Sequence, residues 1–434
     1  MIKRRISHFE LPNDKWNIVD DSLLYRIVKE PEDKIYRKFF SFDLDNTLIL
    51  SRSFFKPAQN QNDYIFYSDI IDFLKKKRAE NYKIIIFSNQ KGVSTGKISI
   101  VDIVNRVDDV IEKIGIPLEC YLALKNDKYR KPRIGMYNFA KQNNKGPIDE
   151  IIYVGDNANR IYDDNFKTKF INHLRYVYSK NNVNININEI AKKLKKDYTD
   201  TDLKFALNIN AKFYTPEELF LNIKNNLSAK FSFNPLSLQK NVDELNYQKS
   251  QNSVRHLLDR ADLHSSPPQH EQNFVLLIGP PGCGKTTFCK NYFPNFIQIN
   301  LEELKTKNKC INMLRQYIIS GKNVIMDNEN TYVKNRLIYI NEAKKINKNL
   351  KVKAIFFNYS KDLVFHLNNF KLITDISNQM KEIPTIPIYS FYKYVQVPSE
   401  CEHFDRIITI NDEHFVPSNF QNDEQQKLFY SYLY

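Results

Sequence analysis

Residues Phe274-Val275-Leu276-Leu277-Ile278 run directly into Gly279-Pro280-Pro281-Gly282-Cys283-Gly284-Lys285-Thr286-Thr287. Five consecutive apolar residues read as a strand buried on both faces of a parallel sheet. The G-x-x-x-x-G-K-T loop that follows opens a helix and turns backbone N–H groups toward a polyphosphate. Gly279, Gly282, Cys283, Gly284, Lys285, Thr286 and Thr287 are therefore the expected nucleotide-binding residues. Lys285 reaches the outer phosphates, and the Thr286 hydroxyl is placed for Mg²⁺.

Far upstream, Lys38 to Phe42 form another apolar strand, ending in Asp43-Leu44-Asp45-Asn46-Thr47. Carboxylates at the carboxyl end of a parallel strand sit where α/β folds build their sites. The chain has 434 residues, too long for one ordinary core, so two domains are expected. Strands also fit Tyr82 to Phe87, Tyr121 to Leu124, and Ile151 to Val154. Helical spacing runs from Ile103 to Ile114, with Gly115 as its stop. Alternating strands and helices give α/β domains with mainly parallel sheets.

The expected boundaries are an N-terminal extension over residues 1–35, docked by Trp16 and Leu23-Leu24, and a first domain over 36–225. A linker over 226–272 and the P-loop domain over 273–434 complete the chain. The Asn-rich stretch from Asn165 to about Lys196 shows no clear period and reads as a surface insertion, partly ordered at best. Thr215-Pro216-Glu217-Glu218 predicts a capped helix start that closes the first domain. No apolar run approaches the ~20 residues of a membrane span, and the start lacks the apolar stretch of a secretory signal. Five cysteines without a C-x-x-C pair argue for a reducing compartment. The net charge of +14 fits polyanionic partners such as nucleic acid, or a solubility trait spread over the surface.

D-x-D-x-T resembles the nucleophile motif of the haloacid-dehalogenase phosphatases. Asp43 would attack phosphorus, and Asp45 would protonate the leaving oxygen and then activate water. Ser88, at the end of the next strand, can bind a phosphate oxygen, and Lys131 can neutralise the phosphoryl group. Asp43, Asp45 and Asp156 are the expected Mg²⁺ ligands. In the P-loop half, Glu302 is a candidate base for an attacking hydroxyl, though an acid there also suits a helix start. Asp327 ends an apolar strand in the position of a metal-contacting acid, though an aspartate there could also cap a helix start, with Asn328 and Asn330 behind it. His366 and His403 lack metal spacing.

Over the span from about Trp16 to Arg406 the chain resembles the polynucleotide kinase 3′-phosphatase family. The likeness runs through Ser88-Asn89-Gln90, Arg130-Lys131-Pro132, Gly155-Asp156 with Arg160, Asp202 with Phe205-Ala206-Leu207-Asn208, the P-loop, Asn300 with Glu302, Asp327-Asn328, Asn330 and Arg336. The resemblance implies a haloacid-dehalogenase-like 3′-phosphatase followed by an ATP-dependent 5′-hydroxyl kinase, with Mg²⁺ and ATP as cofactors. It implies DNA ends as partners, nicked or gapped duplex among them, a monomer, and an intracellular setting, nuclear or viral. Thr47, Asn89, Arg130, Arg160, Asn330, Arg336 and Lys371 are the substrate-binding residues it suggests. The forkhead-associated domain of animal members is not expected here. Two departures touch the kinase. Glu302 stands where the family has aspartate, and the lid segment His366 to Lys371 offers Lys371 in place of arginines. An alternative is therefore a 3′-phosphatase whose P-loop half binds nucleotide or DNA with slow or no transfer. A non-catalytic nucleic-acid scaffold and a metabolite phosphatase–kinase fusion are further classes.

Overall fold

A computed structural model describes residues 10–30, 34–144, 146–224, 231–239, 254–263, 271–375, 383–417 and 420–434. The chain divides into two compact units, residues 1–230 with 432–434, and residues 231–431. Among the described residues, no helix is long and apolar enough to cross a membrane.

The first unit is built on a seven-stranded sheet. Its strands are β1 (Asn17–Val19), β2 (Leu23–Ile27), β3 (Lys38–Phe42), β6 (Tyr82–Asn89), β7 (Glu119–Ala123), β8 (Glu150–Val154) and β9 (Lys212–Tyr214), in the order β1-β2-β7-β6-β3-β8-β9. A separate ribbon pairs β4 (Ile49–Ser51) with β5 (Tyr64–Phe66). β3 lies between β6 and β8 and is parallel to both. Successive strands are added first on one side of β3 and then on the other, so a crevice opens at the carboxyl ends of β3 and β8. The sheet also takes in residues expected only to dock on it. β2 pairs antiparallel with β7, and Trp16, Leu23 and Leu24 are buried.

The helix Ile100–Ile114 buries Ile103, Val104, Val107, Val110, Ile111 and Ile114, and Gly115 ends it in the left-handed region at φ 66°. Thr215 and Glu218 form a reciprocal capping box on the helix Pro216–Leu221. The Asn-rich stretch departs from expectation. It holds two helices, Asp164–Lys180 and Ile187–Lys193. Phe166, Phe170, Leu174, Val177 and Tyr178 pack into the core at three- and four-residue intervals. The abundant polar residues between them hid that period.

The second unit carries a five-stranded, all-parallel sheet of β10 (Asn273–Ile278), β11 (Ile297–Ile299), β12 (Val324–Asp327), β13 (Lys351–Phe357) and β14 (Arg406–Ile410), ordered β11-β12-β10-β13-β14. β10 is central and fully buried. Part of the segment expected as a linker belongs to this core, because Leu238, Val254, Leu258, Ala261 and Leu263 are buried in it. At the other end, residues 432–434 belong to the first unit. The Asn208 carboxamide donates to the Tyr432 carbonyl at 2.8 Å and accepts from its N–H at 2.9 Å, Arg133 donates to the Leu433 carbonyl, and Leu433 is buried.

Candidate active sites

The first centre lies at the carboxyl ends of β3, β6 and β8. The Asp43 N–H donates to the Val154 carbonyl at 2.8 Å, which fixes the start of the loop after β3. The Lys131 ammonium donates at 2.7 Å to each of Asp43 Oδ1, Asp202 Oδ1 and the Tyr153 hydroxyl. Lys131, Asp43 and Asp202 are all buried. Oxygens of Asp43, Asp156 and Asp202 lie within 4.8 Å of one another. A Cβ on Gly155 would fall 2.5 Å from Asp202 Cβ, so only glycine lets the Asp202 side chain approach.

Burial pushes the Asp43 carboxyl up to about 7; Lys131 pulls it down, and Asp202 and Asp45 push it up again. Burial, then Asp202 and Asp43, raise Asp156 well above the carboxylate range. Burial favours discharge of Lys131, yet Asp202 and Asp43 outweigh it and hold the ammonium above its ordinary value. Three carboxylates facing one another, Asp43 and Asp202 buried and Asp156 partly so, with one ammonium among them have the donor set of a hard divalent cation such as Mg²⁺.

The structure revises several expected roles here. The Asp45 side chain is outside the carboxylate cluster; its Oδ2 accepts from Gln90 Nε2 at 2.7 Å and its Oδ1 from Arg106 Nη1 at 3.1 Å. Asp202 completes the cluster instead. It is a ligand candidate that lies in the likeness but offers no motif of its own, since it sits in a helix 46 residues beyond Asp156 and only folding brings the two together. Ser88 Oγ is buried and accepts from Gln90 Nε2 at 2.9 Å. The Asn89 carboxamide is engaged on both sides with the Lys131 backbone, at 3.1 and 2.9 Å, so it holds the lysine loop rather than substrate. Thr47 is fully buried, and its hydroxyl makes no hydrogen bond. Arg160 is also buried; it pairs with Asp197 and Glu217 at 2.8 and 2.7 Å and donates to the Asp156 carbonyl at 2.8 Å. It therefore fixes the loop carrying Asp156. Arg130 lies one residue from Lys131 and is half-buried.

The second centre is the P-loop between β10 and the helix Lys285–Tyr292. Gly282 and Gly284 have φ of 77° and 95°, values that favour glycine. Lys285 Nζ donates to the carbonyls of Gly279 and Pro280 at 3.0 and 2.8 Å. Thr286 Oγ1 donates to Asp327 Oδ2 at 2.7 Å, joined by Gln298 at 2.6 Å and Asn300 at 3.2 Å. A hydroxyl and an acid thus stand side by side, the pair a P-loop would need to hold Mg²⁺. A cavity of about 880 Å³ adjoins the loop and is lined by Gly282, Cys283, Gly284, Thr286, Thr287, Glu302, Asp327 and Lys371 among others. Glu302 is exposed, with its N–H on Asn300 Oδ1 at 2.7 Å.

Asn330 and Arg336 are placed differently from expectation. The Asn330 carboxamide donates to the Leu277 carbonyl at 2.7 Å, tying the loop after β12 to the P-loop strand. Arg336 is fully buried and bidentate to Glu402 at 2.6 and 2.7 Å. Arg336→Ala strands a buried carboxylate and should cost about 3–5 kcal/mol in chemical denaturation. Unchanged stability with a raised KM for polynucleotide would restore it as a substrate contact.

A nucleophilic carboxylate centre and a polyphosphate loop in one chain define a protein with two phosphoryl-transfer sites. The first matches the family model "Polynucleotide kinase 3 phosphatase" over residues 38–220, and residues 275–386 match the model "ATPase family associated with various cellular activities (AAA)". The chain is 30% identical to the bifunctional polynucleotide phosphatase/kinase of Schizosaccharomyces pombe, over 91% of this chain and 83% of that one. It is 32% identical to a protein of Acanthamoeba polyphaga mimivirus assigned to the same class, over 85% and 83%. A polynucleotide 3′-phosphatase of Arabidopsis thaliana is 26% identical over 42% of this chain and 24% of its own. The chain belongs to the bifunctional polynucleotide phosphatase/kinase family.

Proposed function

We propose that the chain prepares broken DNA ends for ligation, removing a 3′-phosphate at the first centre and phosphorylating a 5′-hydroxyl from ATP at the second. The observation that carries the phosphatase is the Lys131 ammonium, held at 2.7 Å from both Asp43 and Asp202. It keeps the nucleophile aimed and supplies positive charge where an incoming phosphate would meet three carboxylates. An Asp43 oxygen attacks phosphorus, forming an aspartyl-phosphate while the P–O3′ bond breaks. Asp45 gives its proton to O3′, then takes one from the water that releases phosphate. Ser88 Oγ accepts from Gln90, which leaves its own proton for a phosphate oxygen. Mg²⁺ held by Asp43, Asp156 and Asp202 would offset the repulsion between carboxylate and phosphate.

At the second centre, Lys285 and the P-loop N–H groups bind the donor's phosphates, while Thr286 and Asp327 would hold its Mg²⁺. Glu302, which lines the same cavity, would accept the proton of the 5′-hydroxyl. The test is an oligonucleotide carrying 5′-hydroxyl and 3′-phosphate, incubated with ATP and Mg²⁺. Both ends should change, and chelation with EDTA should stop both. Turnover of small phosphate esters with no competition from DNA would overturn the polynucleotide reading.

A further inference from the structure

The helix Ile100–Ile114 turns one apolar face to the core, and Arg106 lies within it, between Ile103 and Val110. Its side chain is among the largest fully buried groups of the described residues. Taking a guanidinium out of water costs several kcal/mol, and a well-packed apolar residue on that face would usually be as stable or more so. The partners of Arg106 show what the arginine supplies. Nη1 donates to the Ala58 carbonyl at 2.6 Å and to Asp45 Oδ1 at 3.1 Å, while Nε makes no hydrogen bond. The opposite oxygen of Asp45 is held by Gln90, whose own N–H is fixed on the Ala123 carbonyl at 2.8 Å. Two buried donors on separate elements thus grip the two oxygens of one half-exposed carboxyl.

We propose that Arg106 and Gln90 are positioning residues that aim the Asp45 carboxyl at the leaving oxygen of the 3′-phosphate. The inference rests on the phosphatase reading above. In the first step the Asp43–P bond forms and the P–O3′ bond breaks, its electron pair passing to O3′. An alkoxide is too basic to leave unaided, so O3′ must collect the Asp45 proton as the bond breaks. A p-nitrophenolate is stable as an anion and leaves without that proton. A misaimed Asp45 therefore slows cleavage of a sugar phosphate while sparing p-nitrophenyl phosphate, whereas damage to the Asp43 pocket slows both.

The experiment measures first-turnover rates with Mg²⁺ on a 3′-phosphorylated oligonucleotide and on p-nitrophenyl phosphate, so that hydrolysis of the common aspartyl-phosphate does not enter. Arg106→Gln should lose about 10²-fold on the oligonucleotide and less than about fivefold on p-nitrophenyl phosphate, the scale of misplacing an acid by about 1 Å. Gln90→Met also releases Ser88 Oγ, a loss both substrates share, and should fall at least about tenfold further on the oligonucleotide than on p-nitrophenyl phosphate. Arg106→Lys, which keeps a donor, should recover part of the oligonucleotide rate. Gln90→Met leaves the buried arginine in place, so the proposal stands open to refutation even if Arg106→Gln fails to fold. Equal loss on both substrates in Gln90→Met, or no loss on either, overturns the proposal. Failure of the unmodified protein to dephosphorylate the oligonucleotide would instead sink the phosphatase reading itself.

Discussion

Replacing Asp43 with asparagine should abolish release of 3′-phosphate, by on the order of 10⁴-fold or more, while 5′-phosphorylation continues at the rate of the unmodified protein. An amide cannot form the acyl-phosphate, and no other carboxylate of the cluster is placed to substitute. Asp202 is buried with one oxygen on Lys131 and Tyr153, and Asp156 accepts from Asn157 at 2.7 Å. The substitution is isosteric and removes a charge that burial disfavours, since the Asp43 carboxyl is pushed up to about 7. Lys131 keeps Asp202 and Tyr153 at 2.7 Å, so it is not stranded. Thermal unfolding should therefore shift by no more than a few degrees. The check pairs phosphate release with a melting curve. Residual 3′-phosphatase activity within about tenfold of the unmodified protein would show that Asp43 is not the nucleophile, because loss of a covalent nucleophile is far costlier.

The residues that make the first centre differ in how visible they are in the sequence. Asp43, Ser88 and Asp156 each end an apolar strand, so the sheet period alone puts them on one edge. Lys131 stands in a loop after β7, where no local period marks it; the fold brings its ammonium to 2.7 Å from Asp43. Asp202 and Arg106 were harder to assign for a physical reason. Each acts across the fold, 46 and 61 positions from its partner, and no local period records such a meeting. Arg106 also interrupts an apolar helix face, where a single charge passes as noise until its burial is seen. The arginines assigned to substrate erred the other way. Arg160 and Arg336 stand near the motifs in sequence, but both are buried on carboxylates, and a guanidinium so paired has little left for a phosphate. The Asn-rich helices were obscured by composition, because three- and four-residue spacing of Phe166, Phe170 and Leu174 is diluted by polar neighbours.

Lys285→Ala should reduce 5′-phosphorylation by on the order of 10²–10³-fold, the scale of removing one preorganised donor from a developing charge. Phosphate release from 3′ ends should be unaffected, because the two centres share no residue. The ammonium is buried and close to the carbonyls of Gly279 and Pro280, and it leads the helix Lys285–Tyr292. In that position it would add a full charge to the partial charge of the helix start once a polyphosphate occupies the loop. The substitution leaves the Thr286–Asp327 contact untouched, so the groups that would hold Mg²⁺ remain while the positive charge that would meet the transferring phosphoryl group is lost. The same assay weighs the departures noted in the sequence. Glu302 is a methylene longer than aspartate, and Lys371 is a less rigid donor than arginine. Transfer by the unmodified protein well above the Lys285→Ala level shows that this cavity accommodates both changes. Transfer no higher than that level would leave the P-loop half a nucleotide- or DNA-binding unit, with end healing confined to the 3′-phosphatase.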